Sequence, residues 1–344
     1  MKPFLPSLLT SALLIHAATQ AQPATTQPVN QSTNQPSTAT YPIPAHDPVM
    51  IRQDGTYYVF TTGRGITVWS STDKVNWKRE KPVFEEAPAW AVAAVPTFKN
   101  HIWAPDISYH NGQYYLFYSV SAFGKNTSCI GLATNKTLNA DAPAYRWEDH
   151  GLIIQSVPGR DDWNAIDPNL QFDEQGKPWL SFGSFWNGLK LVRLRDDLTG
   201  VAQPQEWYHI AGRKRSEGPN GLANDGAIEA PFIFRKGNQY YLFASFDLCC
   251  RGANSTYKIV VGRADKITGP YLDRDGKKMV AGGGTLVLEG NKDWHGVGHN
   301  ATYTFDGTDY LVYHGYDAAD GGKSKLLIRK LNWDSAGWPI VDFE

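Results

Sequence analysis

Polar and apolar positions recur along the chain in one repeated phrase. An acidic or apolar start leads into alternating hydrophobics, then a glycine turn, then a run rich in aromatic residues. The first copy reads Asp47-Pro-Val-Met-Ile-Arg-Gln-Asp-Gly-Thr-Tyr-Tyr-Val-Phe. The second reads Ala104-Pro-Asp-Ile-Ser-Tyr-His-Asn-Gly-Gln-Tyr-Tyr-Leu-Phe. The third runs from Asp167 through Gly176 to Trp179-Leu-Ser-Phe, the fourth from Glu229 through Gly237 to Tyr240-Tyr-Leu-Phe, and the fifth from His299 through Asp306-Gly307 to Tyr310-Leu-Val-Tyr. The period is roughly 60 residues. Alternation of period two around Asp-Gly or Asn-Gly predicts a strand, a tight turn and a second strand in each copy. Third strands are expected over residues 66–70, 128–133, 189–194, 257–263 and 325–331, with a shorter fourth in most copies, as around Trp77. Helical periodicity is nearly absent apart from a turn over residues 87–95. Five repeats of about four antiparallel strands predict an all-β fold, a five-bladed β-propeller. A two-sheet sandwich has no reason to repeat one phrase five times.

The repeat changes the meaning of certain acids. In a propeller the innermost strand of each blade lines a central channel, so equivalent positions converge. The residues that open the copies are Asp47, Ala104, Asp167, Glu229 and His299. Any one acid beside a proline reads as a turn former. Three in phase at one axis cost electrostatic free energy that a fold does not require, which marks a site. A pair of carboxylic residues is the minimal machine for splitting a glycosidic bond: one donates a proton to the leaving oxygen and the other takes one from water. A third can tune the donor.

Charge and composition narrow the partner. The formal net charge of −1 lacks the basic face that a nucleic acid wants. Aromatic residues make up 13% of the chain, which suits packing on sugar faces, although aromatic β cores look alike. Lys2, the apolar run over residues 4–18, and Thr19 and Ala21 at the cleavage positions read as a signal peptide over residues 1–21. A flexible linker rich in Gln, Pro, Ser and Thr is expected over 22–40, and the catalytic propeller over 41–344. No second apolar run is long enough for a bilayer, so no membrane partner is expected. Cys129, Cys249 and Cys250 show no zinc-like spacing. The adjacent pair admits a vicinal disulfide, and the plainer reading is three buried thiols.

At these positions the sequence resembles glycoside hydrolase family 43, and within it the arabinanases, from residue 41 to about residue 339. The resemblance rests on His46-Asp-Pro, His101-Ile-Trp-Ala-Pro-Asp-Ile, Tyr118-Ser-Val-Ser-Ala-Phe-Gly, Ala165-Ile-Asp-Pro-Asn, Gly183-Ser-Phe-Trp, Ala227-Ile-Glu-Ala-Pro, Cys249-Cys-Arg-Gly and Gly298-His-Asn. It implies a secreted, monomeric, endo-acting enzyme that cleaves α-1,5-L-arabinofuranosidic bonds in arabinan or arabino-oligosaccharides by inversion. In that scheme Asp47 is the general base, Glu229 the general acid, and Asp167 raises the acid's pKa and orients it. Inversion leaves room for a water, so the carboxyls of Asp47 and Glu229 are expected about 6.5–9.5 Å apart. The resemblance further assigns substrate contacts to His46, Trp103, Phe123, Gly124, Asn164, Ala165, Ile166, Ser184, Phe185 and Trp186. It gives His299 a structural calcium or other hydrated cation in the channel, with water filling most of the shell, and it implies no organic cofactor. Gly315 departs from a bulkier residue in some relatives, which puts the cleft shape near the fifth blade in question. Rival readings are an exo-acting arabinanase, an α-L-arabinofuranosidase or β-xylosidase of the same fold, a levan or sucrose enzyme, and a non-catalytic sugar-binding propeller.

Overall fold

The computed structural model describes Met1 and residues 38–214 and 226–342. All of the expected signal peptide except Met1, and nearly all of the expected linker, lie outside these residues. The last stretch of the expected linker, Thr38–Thr40, pairs as a strand with Asn76–Arg79, so the folded part begins slightly before residue 41.

The chain is a five-bladed β-propeller. Blade one runs outward from Val49–Gln53 through Thr56–Thr61 and Thr67–Ser71 to Asn76–Arg79, with Thr38–Thr40 outermost. Blade two holds His101–His110, Gln113–Val120, Ser128–Asn135 and Glu148–Ser156, with Gly63–Arg64 paired on its inner edge. Blade three holds Asn169–Phe172, Pro178–Phe182, Leu189–Arg193 and Trp207–Ala211. Blade four holds Ile228–Lys236, Gln239–Phe246, Lys258–Ala264 and Thr285–Glu289. Blade five, among the described residues, holds Trp294–Phe305, Thr308–Asp317 and Lys323–Lys330. The expected helical turn is Ala89–Ala94.

Local sequence explains the hairpins. Asp54-Gly55, Asn111-Gly112 and Asp306-Gly307 all take positive φ at both positions, 49° and 81°, 48° and 82°, and 51° and 76°. A two-residue turn of this kind matches the twist of the flanking strands, and Asp or Asn followed by Gly adopts it at low cost. The aromatic second strands are buried because each is covered by the neighbouring blade. Phe117 of blade two shares a core with Leu180 and Phe182 of blade three. Trp179 and Leu191 of blade three meet Tyr240 and Leu242 of blade four. Met50, Val59 and Trp69 of blade one meet Val312 and Leu326 of blade five. Each fully buried side chain of this size contributes about 1.5–3 kcal/mol.

Blade five is completed from the other end of the fold. Pro44 bridges Lys325, Ile43 accepts from the Leu326 N–H at 2.8 Å, and Ser324 Oγ donates to the Ala45 carbonyl at 2.6 Å. This clasp closes the ring immediately before His46 and Asp47.

Candidate active site

The inner strand of each blade opens with a residue in the left-handed region: Asp47 (φ 51°), Ala104 (39°), Asp167 (59°), Ala230 (55°) and His299 (50°). All but His299 precede a proline, which makes the conformation costlier still. Each backbone N–H at these positions is held across the blade boundary. Ala104 donates to Thr62 Oγ1 at 2.8 Å, Asp167 to Ser119 Oγ at 3.0 Å, His299 to Ser245 Oγ at 2.8 Å, and Asp47 to His314 Nδ1 at 3.1 Å. In blade three the corresponding position is Gly183, which has no side chain. There Asp167 substitutes with its own carboxylate, Oδ2 accepting from the Ala230 N–H at 3.1 Å.

This register corrects the phase read from the sequence. Ala230, not Glu229, is the in-phase residue of blade four. Glu229 stands one position earlier, in step with Trp103 and Gly298, and pairs with Ser245 as they pair with Ser119 and His314. A backbone bulge follows it in each of these three blades. The offset turns Glu229 onto different neighbours from those of Asp47 and Asp167.

Asp47 sits between imidazoles. His46 Nδ1 lies 2.9 Å and His299 Nδ1 3.0 Å from its Oδ1, and Thr62 Oγ1 donates to Oδ2 at 2.5 Å. Burial would push this carboxyl up, but His299 and His46 reverse the sign and hold it well below 3.8. Asp47 is therefore ionised throughout the ordinary pH range. His299 gains in return: burial opposes it, yet the Asp47 charge and hydrogen bond raise it to about 9. His314, stacked on His46 with ring centroids 4.0 Å apart, is the neutral member. Burial first, and the neighbouring His46, hold it well below 6.5, so its Nδ1 can accept from the Asp47 N–H.

Glu229 is held by two hydroxyls. Ser184 Oγ donates to Oε2 and Tyr257 OH donates to Oε1, each at 2.6 Å. Burial, then the nearby Glu229 charge, pushes the Tyr257 phenol far up, so it remains a donor. Asp167 is pushed up to about 8 by burial and by the charges of Glu229 and Asp47, against the pull of His299. Asp167 thus keeps a proton at neutral pH, beside Glu229. One side of the site is a carboxylate fixed as an anion, and the other is a carboxyl pair that retains a proton. That is the division of labour needed to break an acetal bond with water.

Comparison with known proteins agrees with this chemistry. Residues 40–339 match the model of the glycosyl hydrolases family 43. The chain belongs to glycoside hydrolase family 43. It is 57% identical to an extracellular exo-α-(1→5)-L-arabinofuranosidase of Cellvibrio japonicus, over 87% of both chains. It is 46% identical to an extracellular endo-α-(1→5)-L-arabinanase of Bacillus subtilis, over 86% of both chains. Among solved structures it resembles an α-L-arabinanase of Cellvibrio cellulosa complexed with arabinohexaose. There the TM-score is 0.85 and the identity 56%, covering 88% of this chain and 96% of that one.

Within this glycoside hydrolase the other expected residues divide. His46 and Ser184 join the carboxylates directly. Trp103, Phe185 and Trp186 are partly exposed, and Phe123 is 82% exposed beside the exposed Gly124. Asn164 is buried with Oδ1 unpaired. Ile166 is buried, its carbonyl accepting from the Gly183 N–H at 2.8 Å. Ala165 is wholly buried in the cluster of Phe117, Leu180 and Phe182, so its methyl group offers a sugar nothing. A Cβ on Gly315 would meet Leu327, Val297 and Trp294, which places that position inside the blade and removes it from the question of cleft shape.

Sequence reasoning missed His314, Tyr257 and Tyr316. Tyr257 reads only as the start of the expected strand over residues 257–263, and His314 and Tyr316 carry no motif of their own. The signal for His314 was its register, the same as that of Ser119 and Ser245. The cysteines also differ from the plainer expectation. Cys249 and Cys250 form a vicinal disulfide and neither is buried, while Cys129 is a buried thiol pushed up to about 12 by burial.

His299 spends Nδ1 on Asp47, which leaves Nε2 as its nitrogen for a cation. Among the described residues, the groupings of potential ligand atoms are His46 with Cys249 and Cys250, and His46 with Asp47 and His314, and neither includes His299. Among the described residues no such grouping forms around His299, so a mostly hydrated ion is what fits this imidazole, and it displaces the Nε2 proton as it binds.

Proposed function

We propose that this family 43 hydrolase cleaves α-1,5-L-arabinofuranosidic bonds of arabinan outside the cytoplasm, by a single displacement with inversion. The observation that carries the reading is the split between Asp47, locked as an anion by two imidazoles, and the Asp167–Glu229 pair, which retains a proton. Asp47 takes a proton from water as the water oxygen bonds to the anomeric carbon. Glu229 gives its proton to the leaving O5, and the C–O bond breaks. The same imidazoles that keep Asp47 ionised make it a weak base, so proton transfer from water runs late, together with bond cleavage. Asp167 keeps the donor oriented through the residue beside it. His46, Trp103, Phe123, Gly124, Asn164, Ile166, Ser184, Phe185 and Trp186 surround the sugar chain, with Ala165 acting through its backbone. The substrate class is supported by the arabinan-acting relatives, and the location by the two that are extracellular. The enzyme acts as a single copy, its ring closed within one chain. A hydrated cation at His299 has a structural role and takes no part in the proton transfers.

Linear 1,5-α-L-arabinan and p-nitrophenyl α-L-arabinofuranoside, followed in parallel, test the reading. Cleavage of arabinan with initial release of the β-anomer is expected, read by NMR. Activity on the nitrophenyl sugar alone defeats it. Endo action gives mixed early oligomers. A second reading, exo action with one early product, is favoured by the 57% identity to an exo-acting relative.

A further inference from the structure

The vicinal disulfide lies one hydrogen bond from the base machinery. Cys250 is exposed and takes φ 66°, a conformation that non-glycine residues seldom adopt. Closing a small ring through the peptide bond between the two cysteines restricts the backbone there. In this bend the Cys250 N–H donates to the Tyr316 hydroxyl at 2.7 Å. That hydroxyl lies 3.0 Å from His46 Nε2, and Nδ1 of the same ring lies 2.9 Å from Asp47 Oδ1. Cys250 Sγ is itself 3.8 Å from His46 Nε2. The loop is tied down independently of the sulfurs: Thr256 N–H donates to the Leu248 carbonyl at 2.9 Å and Arg251 N–H to Ser255 Oγ at 3.1 Å. A staple merely to close the loop is therefore redundant.

We propose that the Cys249–Cys250 disulfide is a positioning element for catalysis: it aims the Cys250 N–H at Tyr316, which fixes the His46 ring and through it the direction of the Asp47 carboxylate. With the neutral imidazole, the Tyr316 O–H donates to Nε2 and His46 Nδ1–H must then face Asp47, so the chain of donors has one sense. The disulfide acts through other residues and needs no contact with the sugar. The inference rests on Asp47 being the base.

The chain has three cysteines, and the third, Cys129, is buried, so a water-soluble phosphine addresses this one bond. It delivers two thiols and leaves as phosphine oxide, its oxygen coming from water. On arabinan at 25 °C, reduction is expected to lower kcat about tenfold with KM held within about twofold, and reoxidation with diamide to restore it. Cys249→Ala/Cys250→Ala repeats the measurement without a reductant. Tyr316→Phe is expected to lose as much, and the combined variant no more than either, because all three changes break one chain. A rise in KM at unchanged kcat overturns the proposal in favour of sulfur–sugar contact. So do losses that multiply in the combined variant, or a lowered Tm with kcat unchanged. Asp47→Asn runs alongside: if it keeps wild-type kcat, the base assignment has failed whatever the disulfide does. If it is inactive while reduction is silent, only the disulfide proposal falls.

Discussion

Ala230 donates its backbone N–H to Asp167 Oδ2 over 3.1 Å, and Ala230 is the residue next to Glu229. Asp167 thus acts on Glu229 in two separable ways, as a titrating neighbour and as a backbone anchor. Asp167→Asn keeps an acceptor for the N–H and removes the titrating group. It is expected to lower kcat about 10²-fold with little change in Tm. Asp167→Ala also strands a buried N–H, costing about 1–3 kcal/mol of stability. Equal melting temperatures for the two variants would contradict the anchoring role.

Activity should fall on the alkaline side near pH 8, where Asp167 loses its proton. The acid limb should lie below pH 3.8, because Asp47 is held under that value. A pH profile of kcat/KM checks both. An acid limb near neutrality would mean that Asp47 is not the group that titrates there.

Stability carries its own pH signature. Burial pushes Asp106 up to about 7, although it accepts from the Leu170 N–H at 2.8 Å and from Asn169 Nδ2 at 3.3 Å. Folded Asp106 binds its proton more tightly than unfolded Asp106. Its contribution is complete below pH 3.8 and is lost as pH rises through about 7. Asp47 runs the other way, with stabilisation present above pH 3.8 and lost as pH falls. Asp106→Asn should therefore match the wild type near pH 4 and exceed it at pH 8, by on the order of a few kcal/mol. Thermal melts across pH decide it, and an unchanged slope in the variant rules out Asp106 as the source.

Gly298 leaves space for Tyr257: a Cβ there would stand 2.1 Å from the ring's Cδ1. Gly298→Ala is expected to displace Tyr257 from Glu229 and to cost about 1–3 kcal/mol in stability. At a temperature where the variant is folded, it should lose kcat as Tyr257→Phe does. Wild-type kcat in the folded variant would show that the Tyr257 hydroxyl is dispensable.

The two halves of the site should separate by leaving group. Glu229→Ala should nearly abolish arabinan cleavage yet spare activated aryl substrates, which need less protonation. Asp47→Ala should lose both, since water must be activated either way. Equal residual rates of both variants on both substrates would reject the assignment.

Much of this was legible beforehand because strand-turn-strand phrases encode period and turn chemistry locally. The Asp-Gly and Asn-Gly hairpins formed as read, and the acids of blades one and three stand in phase. Glu229 misled because spacing along a chain cannot reveal a bulge, and the proline after Ala230 was the better marker of register. His314 and Tyr316 stayed hidden because their function lies in contacts more than 260 residues apart. The cysteine pair stayed ambiguous because only the conformation at Cys250 decides between thiol and disulfide.

The clasp between residues 43–45 and blade five carries a consequence in time. Asp47 leaves the synthesis machinery early, whereas His299, His314 and the Lys325 edge are made near the end. Contacts this remote in sequence form slowly. The chain thus holds Asp47 apart from its imidazoles through most of its synthesis, and the site is complete only when the first blade finds the last.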